Sequence, residues 1–119
     1  MSPDEQRQAP RIMRGFLIRY RSVEGGGTGW LVSPLLDLSK TGVRFLSEHP
    51  FHVNTSLTIQ LVLPMSQEPV ALVGHVVRTA QKRLGMTELG VTFDQIEPSA
   101  QEQIEAAVTH VLRQQGGAR

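Results

Sequence analysis

Apolar and polar residues alternate with a period of two along most of the chain and switch to a helical period only near its end. The cleanest run is 57–63, where Leu57, Ile59, Leu61 and Leu63 share one face and Thr58 and Gln60 the other. That is the signature of a half-buried antiparallel strand. The pattern recurs over 12–20, with Phe16, Ile18 and Tyr20 opposite Leu17 and Arg19. It recurs again over 84–93, with Leu89, Val91 and Phe93 opposite Glu88, Gly90 and Thr92. Residues 30–36 and 43–46 read as the two arms of a hairpin around the turn 37–42, with Pro34 marking an edge or a bulge. The run 70–79 is more uniformly apolar than the others, which predicts a strand covered on both sides, as by a helix. After Pro98 the spacing changes. Ile104, Ala107, Val108, Val111 and Leu112 fall on one helical face, and Ser99 with Glu102 has the spacing of a capping box, so a helix is predicted over 99–114.

These elements predict an all-β fold with one C-terminal helix. Six strands with short links close most economically as a small antiparallel β-barrel, which removes exposed sheet edges. The expected organisation is a single domain over 1–119: a flexible arm at 1–11, the barrel at 12–97, the helix at 99–114 and a tail at 115–119. The run Gly25-Gly26-Gly27 predicts a flexible connection between the first two strands.

Composition narrows the function classes. A chain of 119 residues suffices for one core. Its formal charge of +1 argues against bulk electrostatic attraction to nucleic acid or membrane. One Trp, one Tyr and four Phe supply little of the stacking platform that RNA-reading barrels use. The absence of cysteine excludes disulfides, a thiolate nucleophile and cysteine-held metals. No apolar leader opens the sequence and no stretch approaches a bilayer span, so a cytoplasmic location without membrane insertion is expected. His49 and His52 lack the neighbours of a metal site, and no serine has a triad context, so neither a metal, a cofactor nor an enzymatic activity is expected.

The candidate chemistry lies in two short segments. Arg7-Gln8-Ala9-Pro10-Arg11 supplies two guanidinium forks from the arm, and Asp37-Leu38-Ser39-Lys40-Thr41-Gly42 supplies a carboxylate, a hydroxyl and a glycine from the hairpin turn. An arginine fork matches the O6/N7 edge of guanine, while a carboxylate accepts from its N1–H and N2–H edge. Arginine also binds phosphate bidentately and stacks on flat rings. The set suits an anionic guanine nucleotide. Arg14, Arg19 and Arg21 read as ordinary strand-face charges, and Trp30 as a barrel or helix-interface residue.

As Arg-x-x-x-Arg and Asp-x-Ser-x-x-Gly, these segments resemble the paired signature of the PilZ domain family. Gly42-Val43-Arg44-Phe45, Gly74-His75-Val76-Val77-Arg78 and Leu89-Gly90-Val91-Thr92-Phe93 look like the family's successive strands in order. The resemblance implies a bacterial receptor for the second messenger cyclic di-GMP, built as a six-stranded β-barrel with a C-terminal helix. It implies that Arg7 and Arg11 clamp guanine and phosphate, that Asp37 and Ser39 present polar groups, that Gly42 shapes the turn, and that Arg78 adds a further contact. Gln6 stands where many members carry another arginine. The expected mechanism is ordering of the arm on the ligand, read by a downstream protein partner. The alternative is a PilZ-like adaptor for protein interaction in pilus or motility control, with weak or no nucleotide binding.

Overall fold

The computed structural model describes residues 13–24 and 29–117. Six antiparallel strands, β1 (Leu17–Ser22), β2 (Leu31–Leu38), β3 (Gly42–Ser47), β4 (Ser56–Val62), β5 (Val70–Gln81) and β6 (Thr87–Phe93), are followed by one helix, α1 (Pro98–Gly117). The strands close into a barrel in the order β1-β2-β3-β6-β5-β4. The architecture is the expected all-β barrel with a C-terminal helix.

Alternation decides which face is inside. Ile18 and Tyr20 from β1, Phe45 from β3, Leu57, Ile59 and Leu61 from β4, Val76 from β5 and Leu89 from β6 are all buried in one cluster. Fully burying each such side chain contributes about 1.5–3 kcal/mol. Tyr20 lies in this interior with its ring 4.6 Å from that of Phe45. Its hydroxyl donates to Ser47 Oγ at 2.8 Å, and the Ser47 hydroxyl in turn donates to the His49 carbonyl at 2.8 Å. Burial pushes the phenol's pKa above its usual range; the bond to Ser47 opposes this and the nearby Glu48 charge adds to it.

Two strands break the alternation at defined points. In β2, Leu35 pairs with Phe45 and Asp37 with Arg44, so Leu36 is an extra residue without a cross-strand partner. In β5, Val76 pairs with Val91 and Arg78 with Gly90, which makes Val77 the extra residue. Each bulge shifts the in–out phase by one position. The sequence locates the first irregularity at Pro34, but the structure moves it to Leu36.

Other expectations are corrected. Val73 and Val77 are 44% and 47% exposed, so β5 is covered on one face only, and α1 does not cover its outer side. Residues 13–16 form a turn before β1, although Phe16 keeps its inward phase. Leu84 begins no strand: it is 98% exposed. It sits at positive φ in the turn Arg83–Gly85, which is closed by Lys82 N–H to Met86 O at 2.8 Å.

The helix packs Ala100, Ile104 and Ala107 into the barrel cluster, with Val108 and Val111 at its margin. Leu112, expected on that face, is 62% exposed. Pro98 rather than Ser99 opens the helix, its fixed φ being suited to the first turn, and Gln101 N–H reaches back to Glu97 O at 2.9 Å. No helix among the described residues is long and apolar enough to cross a membrane.

Candidate functional site

The hairpin between β2 and β3 is braced by its own serine. Ser39 N–H donates to Gly42 O at 2.9 Å, and Ser39 Oγ accepts from Thr41 N–H and Gly42 N–H, each at 3.2 Å. A short hydroxyl side chain is suited to this because it can replace the backbone partners that a tight turn leaves unsatisfied. Ser39 thereby fixes the turn that follows the strand carrying Asp37. The turn proper is Ser39-Lys40-Thr41, since Asp37 and Leu38 belong to β2 and Gly42 to β3.

Gly42 has a packing reason for lacking a side chain. A Cβ at this position would collide with the carbonyl oxygen of Val91 on β6, and would also stand 3.4 Å from Thr92 Cα. Its φ is not in the left-handed region. The glycine lets β3 approach β6 closely.

Asp37 is exposed on the outer wall, one oxygen accepting from Leu38 N–H at 3.0 Å. Its orientation follows from the bulge: with Leu36 skipped, Asp37 takes the outward place opposite Arg44. The row continues across the wall. Arg44 pairs with Gly90, and Gly90 with Arg78. Arg78 also faces out because of a bulge, the one at Val77. Asp37, Arg44, Gly90 and Arg78 thus form one outward row over four strands, whose ends lie three strand spacings apart, on the order of 14 Å along the wall.

Arg44 is a residue that sequence reasoning passed over. With Leu38 opposite Val43 across the turn, Asp37 falls opposite Arg44, so the turn length was the signal that could have found it. Its Nη1 donates to Glu88 Oε2 at 3.1 Å, and Lys82 Nζ stands 3.6 Å from Glu88 Oε1. Elsewhere on the wall, Arg21 and Arg19 place their guanidinium carbons 4.3 and 5.6 Å from the Trp30 ring centre, so these charges are stacked. Trp30 is half-buried on the barrel wall beside them, the first of its two expected places. His49 stacks edge-on against Phe51 at 4.5 Å, and no group of metal-ligating side chains occurs among the described residues.

Arg7 and Arg11, with the rest of the arm and the run Gly25-Gly26-Gly27, lie outside the described residues. Of the expected site residues, the structure brings together Asp37, Ser39 and Gly42, with Arg78 at the far end of the row that starts at Asp37.

A family model for the PilZ domain matches residues 5–110, a span that takes in both arginines of the arm and the hairpin. The chain belongs to the PilZ domain family. This is a family of non-catalytic receptor domains for cyclic di-GMP. The PilZ barrel is similar to solved structures. MrkH from K. pneumonia in its apo state matches with a TM-score of 0.74 and 15% identity over 92% of this chain and 51% of that one. The PilZ domain of YcgR from Escherichia coli, determined with c-di-GMP, matches with a TM-score of 0.63 and 13% identity over 92% of this chain and 93% of that one. The Bacillus subtilis inhibitor of motility MotI/DgrA matches with a TM-score of 0.67 and 14% identity over 87% of this chain and 49% of that one. This PilZ chain therefore spans about half the length of MotI/DgrA and MrkH. At these identities the likeness is one of fold. No curated protein matches the sequence significantly.

Proposed function

We propose that this PilZ domain binds cyclic di-GMP on the outer wall around Asp37, that Arg7 and Arg11 close over the ligand, and that a cytoplasmic partner protein reads the closed form. The reading rests on one juxtaposition. The outward carboxylate of Asp37 stands at the end of β2 next to a braced turn, in a row with two arginines, near the point where the preceding chain joins the barrel. That junction is defined by Met13 N–H donating to Leu35 O at 2.9 Å. Arg11 is two residues from Met13 and Arg7 six, which bounds their reach at about 7 Å and about 20 Å. Both ranges include the neighbourhood of Asp37, two residues from Leu35.

The chemistry divides between the two halves. Asp37 offers acceptors for guanine N1–H and N2–H, and the arginines offer paired donors for guanine O6/N7 and phosphate. Arg78 supplies a further phosphate or guanine contact from the other end of the row. Ser39 and Gly42 act through the turn and the strand approach that present Asp37. A ligand shifts the arm only through its preference for the closed form, and the arginine contacts supply that preference.

Calorimetric titration with cyclic di-GMP, using the wild type and the Arg11→Ala and Asp37→Ala variants, tests the reading. Saturable binding is expected, weakened roughly tenfold to a hundredfold in each variant, the effect of losing one charged hydrogen bond worth about 1.5–3 kcal/mol. Unchanged affinity in both variants would move the site elsewhere. No heat at tens of micromolar ligand would favour the adaptor reading.

A further inference from the structure

We infer that Glu88 is an internal counter-anion of this site, holding Arg44 and Lys82 in the free protein and competing with a phosphate of the ligand for them. The inference rests on the receptor reading above and adds a regulatory element to it.

Glu88 projects from β6 beside the Asp37–Arg44–Gly90–Arg78 row, its own cross-strand partners being Leu46 and Ala80. Its side chain is only 13% exposed. A carboxylate this sheltered needs compensating partners, and both its oxygens have them: Oε2 faces Arg44 Nη1 at 3.1 Å and Oε1 faces Lys82 Nζ at 3.6 Å. The cluster is therefore two cations around one anion, and the cations are the more open members, at 44% and 48% side-chain exposure. Arg44 cannot offer its full fork to another anion while one arm of it donates to Glu88.

The surroundings leave room for a competitor. Between Arg44 and Arg78 stands Gly90, where an added Cβ would meet Arg78 Cβ at 3.4 Å. The glycine places no side chain between the two arginines of the row. A cyclic dinucleotide carries two phosphodiester charges. One lying along this row meets Arg44, Arg78 and Lys82 as attraction and Glu88 as the nearest repulsion. Glu88 thus lowers affinity while it keeps Arg44 and Lys82 in place without ligand.

The test is the affinity for cyclic di-GMP of wild type, Glu88→Gln, Glu88→Thr and the double variant Arg44→Ala/Glu88→Gln, with the folded state of each checked by its thermal midpoint. Removing the charge is expected to tighten binding roughly three- to tenfold, the effect of one unit charge several ångströms away at a dielectric between those of water and protein surface. It should also steepen the weakening of binding by salt, because two cations lose their internal partner. A merely structural role would not move that salt dependence. In the Arg44→Ala background the gain from Glu88→Gln should shrink. Glu88→Thr, which suits a strand, should act in the same direction if the amide variant folds poorly. A wild type that binds, with both Glu88 variants unchanged or weaker, overturns this inference and leaves the receptor reading intact. A wild type that does not bind overturns both.

Discussion

Asp37 faces out of the barrel because Leu36, the residue before it, has no partner on the neighbouring strand. Strict alternation from the buried Leu35 would turn Asp37 inward and Leu38 outward; the skipped residue reverses both. Deleting Leu36 leaves an unbulged strand with the same pairs, Leu35 with Phe45 and Asp37 with Arg44. That variant is expected to fold and to keep the cross-strand NOEs between Asp37 and Arg44. Its cost should be that of one apolar side chain, about 1.5–3 kcal/mol. Loss of those NOEs would mean that barrel closure needs the bulge itself.

Gly42→Ala should act on stability before it acts on binding. The new methyl group collides with Val91 O, a backbone atom held in the β3–β6 ladder. Overpacking of this kind costs about 1–3 kcal/mol, read as a lower midpoint in urea. A variant as stable as wild type would remove the packing explanation for this glycine.

Tyr20 predicts a loss of stability in alkali. Its pKa is raised in the folded state, chiefly by burial, so folding favours the neutral phenol. That contribution is intact below the pKa of an unfolded tyrosine, about 10. It is lost as pH rises through the higher folded value. Tyr20→Phe should flatten this part of the stability curve, measured by urea unfolding between pH 9 and about 11. At neutral pH it should cost about 0.5–1.5 kcal/mol for the bond to Ser47. An equally steep alkaline limb in the variant would assign the effect to other groups.

Two of the five apolar residues of α1 that the sequence put on one face should separate cleanly. Ile104 is fully buried, and Ile104→Ala should destabilise by about 2–5 kcal/mol. Leu112 is 62% exposed, and Leu112→Ser should stay within about 0.5 kcal/mol of wild type. Thermal denaturation of both variants distinguishes a helix docked through its first turns from one docked along its length.

The strands were legible wherever one face alone is apolar, as at Leu57, Ile59 and Leu61, because a period of two then has a single solution. The reading failed where apolar residues stand on both faces. Val73 and Val77 carry the β-branched side chains that strands favour, but no layer covers them, and periodicity cannot tell an exposed valine from one beneath a helix. Leu84 misled for a similar reason: it continues an apolar pattern but occupies a turn at φ 60°. Of the site, the turn was legible because Asp, Ser and Gly at that spacing have local jobs. The row beyond it was not. Arg44 and Glu88 are 44 positions apart and read singly as outward charges. Only the β3–β6 register makes them neighbours, and the bulges in β2 and β5 that turn Asp37 and Arg78 outward leave no mark in composition.

Closure of the barrel sets the terms on which anything downstream can read this domain. Among the described residues each of the six strands has a neighbour on both sides, so a partner finds no whole edge strand to which it could add one of its own. Recognition through side chains is open everywhere on the wall, and side chains can be exchanged one at a time without breaking the ladder. If the domain signals as proposed, variants that keep the ligand but lose the partner are therefore expected on the outer wall or the exposed face of the helix, and a surface scan for them would find where the signal leaves the molecule.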